Sequence, residues 1–336
     1  IAKPAIDPDE SWMEKLGNVF SARTHEREAG PGIVFLGHMD TVFPAGTAAA
    51  RPFRVEGGRA YGPGVADMKA GVVANMFAAR ALKDLGLIDV PMTLMFSPDE
   101  ELGAPTATRV YRERISGARA VICAEPGFPD GGVTTERRGS GHFHMRISGI
   151  SAHAGRCYED GASAILELAH KIVALDAFVD AQAQTIVNTG LISGPWADAR
   201  IHITFNTVDA AERLVENVRA VAARTFVPRT TTRISGGIRL HPLEYTADVE
   251  TLFGMAERAC AAMGGYTIRR NRALGASEAG FTASVLGIPS ICSMGPEGAE
   301  LHSPSEYLSV DTVLPRCKMI ALTAIQAARA FPSTRV

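Results

Sequence analysis

Residues 33–42 read Ile-Val-Phe-Leu-Gly-His-Met-Asp-Thr-Val. Ile33–Leu36 is a continuous apolar run closed by Gly37, the pattern of a short strand buried on both faces. His38 and Asp40 follow at once, so a buried strand would end on groups able to bind metal or move protons. Similar runs recur at Met92–Phe96 and Ala120–Cys123, each bounded by turn residues. Between the first two lies Ala70–Leu85, rich in Ala, Val, Met and Leu and stopped by Gly86. It predicts a helix with Val72, Met76 and Ala79 on one side. This alternation predicts an α/β fold, a mostly parallel sheet flanked by helices on both faces.

From about Ser140 the rhythm changes. Gly141–Ile150 alternates like a half-exposed strand, and Ala162–Leu175 has helical character. Strands at Thr185–Ile192 and Arg200–Phe205, a helix at Asp209–Arg224 and a strand at Thr230–Ile234 complete a β-α-β-β-α-β order. That order predicts a ferredoxin-like α+β domain over 139–237, inserted into a discontinuous domain formed by 1–138 and 238–336. After His241-Pro242 the α/β rhythm resumes with helix Val249–Met263, strand Ser290–Met294 and a last helix from Val310 to about Ala330.

The 336 residues suffice for about two domains, and 46% hydrophobic with 21% charged residues is a globular composition. A formal net charge of -2 gives no reason to expect nucleic acid or an anionic membrane as partner. No apolar run approaches the roughly 18 to 20 residues that span a bilayer. The five cysteines are scattered, with no C-x-x-C pair, which points to buried thiols in a reducing, cytoplasmic setting. The chain starts at Ile1 rather than Met, which leaves room for a targeting segment ahead of it.

The acidic and histidine residues gather just beyond the predicted strands. His38 and Asp40 follow the first, Asp99-Glu100-Glu101 the second and Glu125 the third, while His302 lies in the loop after Ser290–Met294. Ligands of open parallel sheets bind outside the carboxyl ends of the strands, so these groups should converge. Asp67, beyond the turn Gly62-Pro63-Gly64, completes the set. Two histidines with several carboxylates and no thiolate suit zinc, and also manganese or cobalt. Two ions sharing a bridging carboxylate need about five protein ligands, the number available here. In the pair Glu100-Glu101, one carboxylate can bind metal while its neighbour stays free as a base. Asp40 is spaced to accept the other imidazole N–H of His38.

The strings GHMDTV, GPGVADMKAG, SPDEELG, CAEP and ELHSPSEY, in that order, resemble the co-catalytic zinc family of glutamate carboxypeptidase, acetylornithine deacetylase, succinyl-diaminopimelate desuccinylase and aminoacylase. The resemblance covers nearly the whole chain and implies a lid or dimerisation role for the inserted domain. It implies that His38 and Glu125 hold one ion, Glu101 and His302 the other, and that Asp67 bridges them. Glu100 would be the general base and Asp40 the partner of His38. The string SAHAG would make His153 the lid histidine that reaches the other subunit's site and stabilises the developing oxyanion, which implies a homodimer.

Departures from the family concern substrate recognition. An Asn-x-x-Pro segment usual after the position of Gly194 is absent, the chain passing directly to Pro195-Trp196. Thr204 or Asn206 stands where an arginine often grips the substrate carboxylate, and Glu278 replaces the usual Asp. Glu278 and Arg239 are carried as candidate substrate contacts. The reading is hydrolysis of a C–N bond in a small carboxylate-bearing substrate, an N-acyl amino acid or small peptide. A rival within the same machinery is removal of an aromatic amino group, as in the nitroanthranilate aminohydrolase branch. A non-catalytic binding protein would not need every ligand and the base. A nucleotide-binding protein would need a glycine fingerprint that Gly62-Pro63-Gly64 does not supply.

Overall fold

The computed structural model describes residues 15–24, 30–193 and 197–332; the expected short loop at Gly194, Pro195 and Trp196 lies outside them. The chain divides into two compact units. The first comprises the described parts of Ile1–Arg137, Glu244–Ala273 and Ser277–Val336, and the second Arg138–Leu243 with Leu274–Ala276.

The first unit is built on a five-stranded sheet in the order Phe20–Arg23, Met92–Ser97, Ile33–His38, Ala120–Cys123, Ser290–Ile291. Ile33–His38 is buried along its whole length, because both of its neighbours run parallel to it and its two faces are covered. Phe20–Arg23 is an antiparallel edge strand with one half-buried and three exposed residues, a pattern with no apolar signal in the sequence. Strand Ile33–His38 connects onward to Met92–Ser97 on one side of it, and the next strand, Ala120–Cys123, lies on the other. The crevice beyond its carboxyl end is therefore a topological switch point.

Helices Ala70–Asp84, Ala247–Ala262 and Val313–Ala330 contribute Ala74, Ala78, Leu82, Leu252, Phe253, Met319 and Ile320 to the core with Ile33, Phe35 and Ile122. Of the three residues read onto one side of the first helix, Ala79 is buried, Val72 half-buried and Met76 exposed, while Gly71, Ala74, Asn75, Ala78 and Leu82 are also buried. Close packing sets which face is buried. A Cβ on Gly71 would stand 1.8 Å from the Ala124 carbonyl oxygen, so the helix approaches closely there and Ala74, Ala78 and Ala79 face inward with Leu82 while Met76 faces out.

Strand Ser290–Met294 shortens to Ser290–Ile291. His302 lies in the loop that follows, between Gly298–Ala299 and Tyr307–Ser309, two short strands of a separate antiparallel sheet with Arg59–Tyr61 and Arg54–Glu56. Tyr307 pairs with Tyr61, which brings the His302 loop beside the turn that leads to Asp67.

In the second unit the elements run strand Gly139–Ser148, helix Ala164–Asp176, strands Ile186–Ser193 and Ala197–Phe205, helix Val208–Ala223 and strand Thr231–Leu240. Phe143, Met145, Ile147, Ile201, Ile203 and Phe205 alternate onto one sheet face and pack with Leu168, Leu175, Leu214 and Val218 of the helices. Ser163 and Thr207 cap those helices by accepting from the backbone N–H of Leu166 and Ala210. The last strand runs to Leu240, six residues past the expected Ile234. Among the described residues no helix is long and apolar enough to cross a membrane.

Candidate metal centre

His38 ends the central strand and is 1% exposed. Its Nε2 lies 3.1 Å from Asp67 Oδ1 and 3.8 Å from Glu125 Oε1, and its Nδ1 lies 3.3 Å from Asp40 Oδ1. The Asp40 carboxylate also accepts the backbone N–H groups of Glu100 at 3.2 Å and Glu101 at 3.0 Å. One carboxylate thus orients the histidine and pins the turn that carries the two glutamates.

Asp67 sits where the turn Val65–Lys69 leaves helical geometry, with φ -106° and ψ 95°. Its second oxygen, Oδ2, is 3.2 Å from His302 Nε2, which is in turn 3.3 Å from Glu101 Oε2. The two oxygens of Asp67 therefore face different histidines. Donor atoms of His38, Glu100 and Glu125 lie within 4.8 Å of one another, as do those of His38, Asp67 and Glu101. Glu101 Oε1 is buried and has no hydrogen-bond partner. Mixed imidazole and carboxylate donors, an orphaned oxygen and a doubly facing aspartate together fit divalent cations.

The electrostatics agree with a site built for positive charge. Burial pushes the Glu100 carboxyl well above its ordinary range, aided by Glu125, Glu278 and Glu101 and opposed by His38. Burial likewise raises Glu125 to about 8, with the Asp67 charge adding to it. Burial would lower the His38 pKa, yet hydrogen bonds to Asp40 and Asp67 and the charges of Glu125 and Glu100 hold it well above the usual value. His302 is raised to about 10 by its bonds to Asp67 and Glu101.

Without metal the site thus holds protons that an incoming cation must displace. Zinc binding near pH 7 is expected to release protons. Affinity should fall as pH falls, since protonated histidines and carboxyls compete with the cation. Calorimetric titration in two buffers of different ionisation enthalpy measures the release; heats that do not depend on the buffer would contradict it.

His38, Asp40, Asp67, Glu100, Glu101, Glu125 and His302 all belong to the first unit and come together. His153 and Arg239 belong to the second. His153 is exposed in a loop, its Nδ1 accepting the Gly155 N–H at 3.1 Å. Arg239 is half-buried near the end of strand Thr231–Leu240. Glu278, carried as a substrate contact, is only 1% exposed and accepts the Tyr111 hydroxyl at 2.7 Å. Burial raises it to about 8, against hydrogen bonds from Ser97 and Tyr111. Sequence reasoning missed Glu306, which is 1% exposed and accepts backbone N–H groups of the Asp67 turn. The visible signal was a glycine-rich turn, whose free N–H groups need an acceptor, together with a carboxylate four residues beyond His302.

A switch-point crevice lined by two histidines and a ring of carboxylates is a candidate site for divalent metal. Residues 34–326 match the family model described as Peptidase family M20/M25/M40, and the chain belongs to that family. It is 31% identical over 199 residues to carboxypeptidase G2 of Pseudomonas sp. strain RS-16, a match covering 59% of this chain and 46% of that protein. It therefore spans about half the length of that relative. It is 28% identical to succinyl-diaminopimelate desuccinylase of Gluconacetobacter diazotrophicus over 89% of this chain and 80% of that one. The aminopeptidase PepT from Bacillus cereus superposes with a TM-score of 0.71 at 21% identity, covering 92% of this chain and 84% of that chain, a likeness of fold.

Proposed function

We propose that the protein hydrolyses the amide bond of an N-acyl amino acid or small peptide bearing a free carboxylate, using two divalent ions, zinc foremost and manganese or cobalt as alternatives. The observation that carries this reading is Asp67, whose two oxygens face His38 and His302 while Glu100 stands buried beside Glu101. Asp67 would bridge the two ions, His38 and Glu125 would complete one ligand set, and Glu101 and His302 the other. When bound, the ions polarise the attacked carbonyl and bring the pKa of water towards about 7. Glu100 takes a proton from the attacking water and delivers it to the departing nitrogen. Asp40 keeps His38 in the tautomer that leaves Nε2 free for a cation. Glu278 fits a supporting role, its charge acting on Glu100, better than a substrate contact, because it is buried and holds the Tyr111 hydroxyl.

The second unit is proposed as a lid that also pairs two subunits. Supporting this, Ile186–Ser193 is one of the two edge strands of its sheet and exposes Leu191 and Ile192, while the neighbouring helix exposes Ile165 and leaves Val173 74% exposed. An uncovered apolar edge of this kind suits a self-complementary twofold contact. His153 is then the donor that reaches the partner's developing oxyanion. The rival reading, removal of an aromatic amino group, rests on Thr204 and Asn206 standing where a carboxylate-gripping arginine is usual.

The test is a panel of N-acyl amino acids, dipeptides and nitro-substituted aryl amines, assayed with zinc, manganese or cobalt and with a chelator. Metal-dependent release of an amino acid is expected. Release of ammonia from the aryl amines alone would select the rival, and no turnover of any of these substrates would oppose both. On the preferred substrate His153→Ala should lower kcat by about 10²–10³ with unchanged metal content. Full activity in that variant would remove the role assigned to His153.

A further inference from the structure

We infer that Glu306 is a positioning residue that locks the Asp67 turn to the His302 loop, so that ligands for both ions stand in place before either ion arrives. The inference rests on the two-ion reading above. Glu306 Oε2 accepts the Gly64 N–H at 2.9 Å, and Oε1 accepts those of Ala66 at 2.9 Å and Asp67 at 3.0 Å. Gly64 has φ 72°, and a Cβ there would meet Thr41 Cγ2 at 2.4 Å and Lys69 Nζ at 2.8 Å. A left-handed glycine followed by a non-helical Asp67 turns three N–H groups towards one point, a concave backbone nest suited to an anion. Glu306 supplies that anion from within the chain.

The other end of the clasp is equally fixed. The Glu306 N–H donates to the Ser303 carbonyl at 3.2 Å, and Ser303 Oγ donates to the Glu300 carbonyl at 2.7 Å while accepting the Ser305 N–H at 3.1 Å. Arg51 Nη1 donates to the Pro304 carbonyl at 2.8 Å. Glu300 and His302 have φ of 57° and 61°, a conformation that side-chain-bearing residues adopt only where the surroundings hold them. Glu306 is four residues from His302 and bonds directly to the Asp67 amide, so it joins two ligands separated by 235 residues of chain (302 - 67). Their side chains meet at 3.2 Å, within hydrogen-bonding reach.

A carboxylate offers acceptors to all three donors, whereas glutamine offers one oxygen and turns an NH₂ towards backbone N–H groups. Aspartate keeps the charge but is shorter by one C–C bond, about 1.5 Å. Wild type, Glu306→Gln and Glu306→Asp are prepared metal-free and titrated with zinc against a chelating competitor. Hydrogen exchange over residues 62–69 and thermal unfolding are followed in parallel. Expected for Glu306→Gln are a zinc affinity lower by about 10–100-fold, as for other residues that orient metal ligands, and faster exchange at 62–69 without metal. Glu306→Asp should keep the fold and recover part of the affinity, a rescue that a merely packing role would not give. If Glu306→Gln does not fold, the comparison of Glu306→Asp with wild type decides. A folded variant with wild-type zinc affinity and wild-type exchange at 62–69 overturns the inference. Should wild type itself bind no zinc, the two-ion reading fails, and unchanged exchange in the metal-free variants would then overturn the positioning role as well.

Discussion

Asp67→Ala is expected to reduce bound zinc from about two ions per chain to fewer than one and to abolish turnover. The expectation follows from which atoms face which. Asp67 Oδ1 is the carboxylate oxygen nearest His38, and Asp67 Oδ2 is 3.2 Å from His302, so one side chain serves both ligand sets. Removing Glu125 or Glu101 takes a donor from one set, and removing Asp67 takes a donor from each. Its two histidine partners also hold its carboxyl below the usual range, against burial, so it is ionised and ready for a cation at any ordinary pH. Asp67→Asn keeps the shape but loses the charge and one oxygen acceptor, and should retain at most one ion. Elemental analysis after saturation and desalting reads both variants. Two ions remaining in Asp67→Ala would mean that the bridging assignment is wrong. The backbone should survive either change, because Glu306 grips the Asp67 amide rather than its side chain.

The ends of the central strands were legible because their physics is local. Ile33–Leu36 and Ala120–Cys123 are apolar without interruption, which is what burial on both faces requires, and the polar residue after each run lies at the sheet's carboxyl edge. His38, Glu100, Glu101 and Glu125 follow from that rule alone. His302 was read in a loop and lies in one, but the two- and three-residue strands on either side of it are too short to show any period. The outward turn of Met76 was hidden for another reason. Which face of Ala70–Asp84 is buried depends on how closely the helix approaches the Ala124 carbonyl, and Gly71 permits an approach that no hydrophobic periodicity announces. Glu306 was missed because its partners are backbone N–H groups some 240 positions away, which have no side-chain signature at all. Glu278 was carried as a substrate contact because it stands where an Asp is usual, and only the fold brings Tyr111 to its carboxyl.

The pair Glu100-Glu101 separates proton transfer from metal holding, and two substitutions should divide them. Both residues lie on one short turn, Glu100–Leu102, whose first two N–H groups are held by Asp40, so changing either side chain leaves the turn anchored. Glu101 Oε2 approaches His302 Nε2 at 3.3 Å and its other oxygen is buried without a partner, the condition of a ligand. Glu100 is buried, and surrounding carboxylates together with desolvation raise its pKa strongly, which suits a group that must accept a proton and give it back. Glu100→Gln is therefore expected to keep both ions and lower kcat by about 10²–10⁴. Glu101→Gln should weaken zinc binding first, with activity partly restored by excess metal. The donor atoms of Glu100 also lie within 4.8 Å of those of His38 and Glu125, so the metal content of Glu100→Gln is the deciding number. Loss of one ion in that variant would make Glu100 a ligand. Loss of metal from Glu100→Gln with full retention in Glu101→Gln would exchange the two roles and place the base on the side of His302.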